Sequence, residues 1–276
     1  DKSALRLAVS QTVTLPEFKE IAPFEYVSPE GRVTKGNPDL IRSEDYNFDL
    51  KWEMYPSTSE LISITGFYKQ IKNPINRAMA RGSSGNFFFA NTGEQANVYG
   101  VELDTRFDII HAESTGSPEL KLSINATKMW FNQDLLENYQ YNNKSETELQ
   151  GAADLILNGA LTFSNNKENA FNVAISGNYS SDKIYALGAP EDKLNSATLF
   201  NNEIIEKGFV TLDLIVSKNL SQRIALKLSG KNLLNPNIKQ TQFIEPQVGS
   251  APDSNEIVRS YKKGVAVKLG LSIKLN

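Results

Sequence analysis

Gly264-Val265-Ala266-Val267-Lys268-Leu269-Gly270-Leu271-Ser272-Ile273-Lys274-Leu275 alternates without a break. Val265, Val267, Leu269, Leu271, Ile273 and Leu275 share one face, and Gly264, Ala266, Lys268, Gly270, Ser272 and Lys274 the other. Strand side chains alternate with period two, so this stretch asks for an apolar medium on one side and water or polar groups on the other. The pattern recurs over residues 3–15, with Leu5, Leu7, Val9 and Val13 on one face, and over 44–55, with Tyr46, Phe48, Leu50, Trp52 and Met54. It continues over 60–72, 86–109, 118–131, 151–164, 168–180, 207–219, 222–233 and 258–276. The total is about ten strands.

Strand length and loop parity decide what surrounds them. Soluble strands average about 5 to 6 residues, whereas these run to the roughly 9 to 11 that cross a bilayer on a tilt. The wet face carries bulky charges, Lys51, Glu53, Arg106 and Lys268, which suit a water-filled lumen. Short connections at 56–59, 110–117, 165–167 and 219–221 alternate with long polar ones at 16–43, 73–85, 132–150, 181–206 and 234–257. That is the alternation of an all-β, antiparallel up-and-down transmembrane barrel wall, with short periplasmic turns and long extracellular loops. Aromatics fall where two interfacial girdles would lie. Tyr46, Phe87, Phe88, Phe89, Trp130, Tyr179, Phe209 and Tyr261 are expected near the outer interface, and Tyr55, Phe107, Phe163 and Phe171 near the inner one.

Composition removes other classes. The 276 residues carry a net charge of -3, with 40% apolar and 22% charged residues, which disfavours a nucleic-acid binder. No run of about 18 apolar residues offers a membrane-spanning helix. Asp1-Lys2-Ser3-Ala4 has no signal-peptide character, so any export signal is expected to have been removed or to lie upstream. Cysteine is absent, which excludes disulfides and thiolate metal sites. The single histidine, His111, sits in a short turn and is expected to be an exposed turn residue, not a base with an oriented partner. No catalytic residue, metal site or cofactor is expected. Glu44 with Asp45, and Glu146 with Glu148, lack the spacing of a calcium loop and read as solvated charge. Glu102, Asp104, Arg106 and Asp108 alternate on one strand and read as a salt-bridge ladder facing the lumen. The ligand-binding residues cannot be read directly. The loop aromatics Phe24, Tyr26, Tyr139, Tyr141 and Phe200 are the candidates, each able to stack on a ligand or to pin its loop to the rim.

Several segments carry a family resemblance. Leu15-Pro16-Glu17-Phe18-Lys19-Glu20-Ile21-Ala22-Pro23-Phe24 is followed by Gly36-Asn37-Pro38-Asp39-Leu40, and then by Phe67-Tyr68-Lys69-Gln70-Ile71-Lys72-Asn73-Pro74-Ile75. Next come Asn91-Thr92-Gly93 through Tyr99-Gly100-Val101-Glu102, and Leu228-Ser229-Gly230-Lys231-Asn232-Leu233-Leu234-Asn235. In order and spacing they resemble the C-terminal barrel of TonB-dependent outer-membrane receptors. Their local physics is that of a scaffold: Pro38 and Pro74 lack an amide donor and suit strand edges and loop starts, and Gly100 leaves room for a neighbouring aromatic or a bend.

The resemblance implies an outer-membrane receptor of a Gram-negative bacterium that imports a scarce nutrient by TonB-coupled transport. Such receptors resemble a large barrel closed by a plug, so residues 1–276 are expected to be the C-terminal portion, with the plug and N-terminal strands outside this chain. Expected partners are outer-membrane lipid, a small ligand, the TonB complex through that plug, and other outer-membrane proteins. The alternatives are a small autonomous barrel, and a structural or adhesive outer-membrane β-barrel that binds a surface or partner protein through its long loops. Which nutrient is carried is not legible in these residues.

Overall fold

The computed structural model describes residues 2–274 except 30, 83, 113, 115, 166–169, 193–201 and 246–251. Ten long strands form one antiparallel wall: β1 (Ser3–Thr14), β2 (Ser43–Met54), β3 (Leu61–Lys72), β4 (Gln95–Ile110), β5 (Pro118–Asp134), β6 (Leu155–Asn165), β7 (Phe171–Ser180), β8 (Phe209–Asn219), β9 (Ile224–Lys231) and β10 (Ala266–Ile273). Each pairs with the next in chain order, and β1 does not pair with β10, so the wall is curved but open. It therefore differs from a closed ten-stranded barrel, the smaller of the two architectures open to the sequence.

One face of the wall is apolar and exposed. Leu5, Leu7 and Val9 on β1, Phe48, Leu50 and Trp52 on β2, and Val267, Leu269 and Leu271 on β10 all project outward. On a water-soluble protein so much exposed apolar area would be an association surface. On a barrel wall it is the lipid face. The concave face is polar, and its small residues cradle larger neighbours. A Cβ added to Gly100 would lie 2.6 Å from Phe67 Cζ and 2.6 Å from the Lys128 carbonyl oxygen, so the missing side chain at Gly100 is the space that the Phe67 ring occupies.

The long loops build a second tier. Glu25–Val27, Val33–Lys35, Phe87–Asn91 and Ile75–Met79 pair in that order as one sheet, and Lys183–Ala186, Ile204–Glu206, Ile238–Ile244 and Ser254–Tyr261 pair as another. A parallel bridge between Ala78 and Leu187 joins the two. Met79 N donates to the Leu187 carbonyl at 3.0 Å, and Leu187 N donates to that of Arg77 at 2.9 Å. The first, second, fourth and fifth loops thus form one collar, with the third loop packed on it. Ala78, Leu135, Tyr141, Ile184 and Leu187 make one buried cluster, and Met79, Phe87, Ala186, Ala189 and Ile204 another.

The collar corrects two strand boundaries. The alternating run 86–109 divides into the collar strand Phe87–Asn91 and β4, and the run 258–276 divides into the end of Ser254–Tyr261 and β10. Glycine marks each break. A Cβ on Gly93 would lie 2.2 Å from the Asp134 carbonyl oxygen, and Gly264 has φ +83°. The girdles change accordingly. Phe87 and Phe89 are collar core, at 4% and 7% exposure, and Tyr261 is a collar residue. Tyr55 turns inward, where its hydroxyl donates to Glu53 at 2.9 Å. Trp130, Tyr46, Phe163 and Phe171 remain on the wall, the last two with ring centroids 6.4 Å apart near the short turns.

Candidate functional site

The concave face and the collar are the two polar surfaces the wall presents. On the concave face, Glu102 accepts from Asn125 Nδ2 at 2.7 Å, Asn125 from Asn158 at 3.1 Å, and Asn158 from Asn178. Register explains the ladder, because Asn125 lies opposite Asn158, and Asn158 opposite Asn178. The expected salt-bridge ladder within Glu102, Asp104, Arg106 and Asp108 is not formed: no ion pair among the described residues joins two of them. Residues two apart on a strand are spaced by about two rises of 3.3 Å; Glu102 and Asp104 face the uncharged Thr65, Thr127, Ser63 and Asn125, and Lys121, opposite Asp108, pairs with Glu119. Asp108 instead accepts from Ser59. Near the short turns Glu53 meets Arg6 at 2.7 Å and Lys51 at 3.1 Å.

His111 also lies at the short-turn rim. Its side chain is exposed, with Nε2 3.8 Å from Glu60 Oε1.

At the wall-to-collar junction, three buried polar side chains satisfy one another. Asn76 Nδ2 donates to Thr92 Oγ1 at 2.7 Å and to Gln133 Oε1 at 3.1 Å, and Gln133 Nε2 donates to Thr92 Oγ1 at 3.2 Å. Buried amides cost stability unless paired in this way. Above them, Arg77 is held between loops. Its guanidinium lies 3.7 Å from the Tyr185 ring centroid and donates to the Tyr185 carbonyl at 2.6 and 3.3 Å, while Gln150 donates to the same oxygen at 3.0 Å. Burial pulls the Arg77 guanidinium below its ordinary range, yet arginine remains a cation at neutral pH.

Beside this bolt is a cavity of about 60 Å³ lined by Arg32, Thr34, Phe87, Tyr185, Gln240 and Arg259. Four loops contribute. The Arg32 guanidinium lies 5.5 Å from the Phe87 ring centroid, and that of Arg259 lies 4.5 Å from Tyr261's. A cavity this small admits a single group, and cations beside hydroxyl and amide groups suit one that bears negative charge.

The loop aromatics distribute unevenly around this cleft. Phe24 is exposed on the first loop. Tyr26 lies opposite Thr34, which lines the cleft, and its enclosed hydroxyl has no hydrogen-bond partner among the described residues. Tyr139 packs its ring 6.2 Å from Phe88. Tyr141 is fully buried, with its hydroxyl 3.0 Å from Thr147, so it pins the third loop and offers no surface to a ligand. Phe200 lies outside the described residues. Sequence reasoning missed Arg32, Arg77, Tyr185 and Arg259, because their meeting depends on pairing between loops far apart in the chain.

An antiparallel wall with a lipid-type outer face, tight turns at one rim and a structured loop tier at the other defines a transmembrane β-barrel protein. The chain belongs to the TonB dependent receptor-like, beta-barrel family, which it matches over residues 1–233. Proteins of this family are Gram-negative outer-membrane receptors. No curated protein sequence matches the chain. Among solved structures it resembles the ferric yersiniabactin uptake receptor FyuA from Yersinia pestis, with 12% identity and TM-score 0.55, over 99% of this chain and 35% of that one. It also resembles a variant of the ferric enterobactin receptor PfeA from Pseudomonas aeruginosa, with 16% identity and TM-score 0.52, over 86% of this chain and 33% of the other. For the siderophore receptor PirA from Acinetobacter baumannii the values are 13% and 0.51, over 85% and 35%. The chain thus spans about a third of the length of the receptors it resembles. At these identities the likeness is one of fold.

Proposed function

We propose that this chain is the C-terminal wall of an outer-membrane receptor that imports a scarce nutrient by TonB-dependent, energy-coupled transport, its plug and remaining strands lying outside these residues. The ligand is an anionic metal chelate, one charged group of which reaches the collar cleft. The arginine-bearing cleft of the collar carries this reading: Arg32 and Arg259 supply charge at its wall, and Phe87 and Tyr185 hold Arg32 and Arg77 in place. The family and the folds of the siderophore receptors it resembles support the same class. In this scheme the collar captures ligand at the cell surface, and the polar concave face lines the route inward against the plug. No covalent chemistry is required.

The test is uptake of a labelled ferric chelate by cells carrying the receptor as their sole route. Replacing both Arg32 and Arg259 with Ala should weaken chelate binding about tenfold or more, because two charge-assisted contacts are lost. Unchanged binding would remove the cleft from the mechanism, and uptake independent of TonB would remove the energy coupling.

A further inference from the structure

On the lipid face, three in-register rows change chemistry step by step toward the long-loop rim. Phe48, Tyr68, Tyr99 and Trp130 lie opposite one another on β2, β3, β4 and β5. All four are exposed, and the Tyr99 and Trp130 rings lie nearly parallel, at 16° with centroids 5.9 Å apart. Two residues nearer the rim, Tyr46, Gln70, Asn97 and Asn132 form a second row. Two residues nearer the short turns lie Leu50, Gly66, Val101 and Lys128. A Cβ on Gly66 would meet nothing within 4 Å, so this row is notched directly below Tyr68, while Lys128 at its end pairs with Asp154 and lies 5.9 Å from the Trp130 ring centroid.

The middle of the upper row is open to a ligand. Asn97 Oδ1 already accepts from Tyr68 at 2.8 Å and from Gln95 at 3.0 Å, which leaves its amide donors uncommitted among the described residues. Asn132 is exposed and makes no side-chain hydrogen bond among them. A shallow groove runs above, lined by Lys72, Glu94, Gln95, Asn97, Asn132 and Asp134.

A flat aromatic platform edged by free amides matches a sugar, whose C–H face stacks on rings while its hydroxyls meet amides. Leu50, Val101 and the Gly66 notch between them match acyl chains. Because Glu94 and Asp134 accompany Lys72 in the groove, a headgroup engaged through its hydroxyls fits better than one engaged through phosphate.

We propose that this patch is a docking site for an outer-leaflet glycolipid, with the sugar seated on Tyr99 and Trp130 between Asn97 and Asn132, and the acyl chains lying along Val101 and the Gly66 notch. The proposal rests on the outer-membrane reading given above.

The receptor extracted from outer membranes would be placed in phospholipid nanodiscs containing a minority of a neutral galactosyl diacylglycerol, and the lipid retained through detergent exchange weighed by native mass spectrometry. The wild type should retain the glycolipid over phospholipid by about fivefold, and Trp130→Leu should fall to the bulk ratio. Should Trp130→Leu fail to insert, Asn132→Ala, at an exposed side chain without a partner, decides the matter in the same way. A wild type that inserts but retains no excess glycolipid overturns the site and leaves the membrane reading standing, as do variants that retain it fully. A wild type that does not enter the bilayer overturns both. Preference for anionic phospholipid over the glycolipid would also overturn the site, since it would place phosphate where the groove puts carboxylates.

Discussion

Ala78 and Leu187, 109 residues apart in the chain, pair main chain to main chain and make one collar of two loop sheets. The contact is small, and both side chains are buried, Ala78 at 2% and Leu187 at 1% exposure. Shortening Leu187 to Ala should therefore cost about 2 to 5 kcal/mol of local stability. In hydrogen exchange, amides of the collar strands Ile75–Met79 and Lys183–Ala186 should lose protection while those of β3 and β4 keep theirs. Equal loss in wall and collar would show that the two tiers are a single folding unit.

Gly100 should not tolerate a side chain. Alanine there meets both the Phe67 ring and the Lys128 carbonyl oxygen, an overpacking that costs about 1 to 3 kcal/mol. Pairing Gly100→Ala with Phe67→Leu should recover only part of this, because the carbonyl conflict is backbone. Heat-modifiable mobility and denaturant midpoints in lipid vesicles would measure both.

The triad of Asn76, Thr92 and Gln133 should respond as a network. Gln133→Met removes one partner from each of the others and should cost about 1 to 3 kcal/mol. Changing Asn76 to Leu as well should cost less than the sum of the two single changes, since fewer buried polar groups are left unmatched. Strict additivity would contradict the network.

Tyr141 gives the collar a pH limit. Burial raises its phenol above the ordinary tyrosine range, so the folded state holds the proton more tightly than the unfolded one. Its contribution is complete below the unfolded tyrosine pKa of about 10 and is lost as pH rises from there through the higher folded value. Alkaline titration should loosen the third loop, and Tyr141→Phe should abolish that dependence at a cost of about 0.5 to 1.5 kcal/mol from the lost hydrogen bond to Thr147. Hydrogen exchange of the third loop read against pH would decide it.

The ten wall strands are legible in the sequence because each must match lipid on one side and water on the other, and a period of two records that demand directly. The collar is less legible. Ile75–Met79 and Ile204–Glu206 are short, lie among other loop elements, and bury side chains on both faces, so alternation no longer reports environment. Where alternation ran on past the wall, through Asn91 to Gln95 and through Tyr261 to Ala266, only Gly93 and Gly264 signalled the corner. Tyr141 shows the same limit at the level of a site. A tyrosine in a polar loop reads alike whether it faces a ligand or fills a core, and only the positions of Leu135, Ile184 and Leu187 around it decide.

The open wall carries an arithmetic of direction. β1 runs from the short-turn rim to the loop rim, and β10 runs back. Any neighbour antiparallel to β10 must ascend, and any neighbour antiparallel to β1 must descend. Strands that close this wall into an antiparallel cylinder therefore come in pairs, and their number is even whatever its size. A closure with an odd count would force one parallel seam, at which slanted hydrogen bonds replace perpendicular ones.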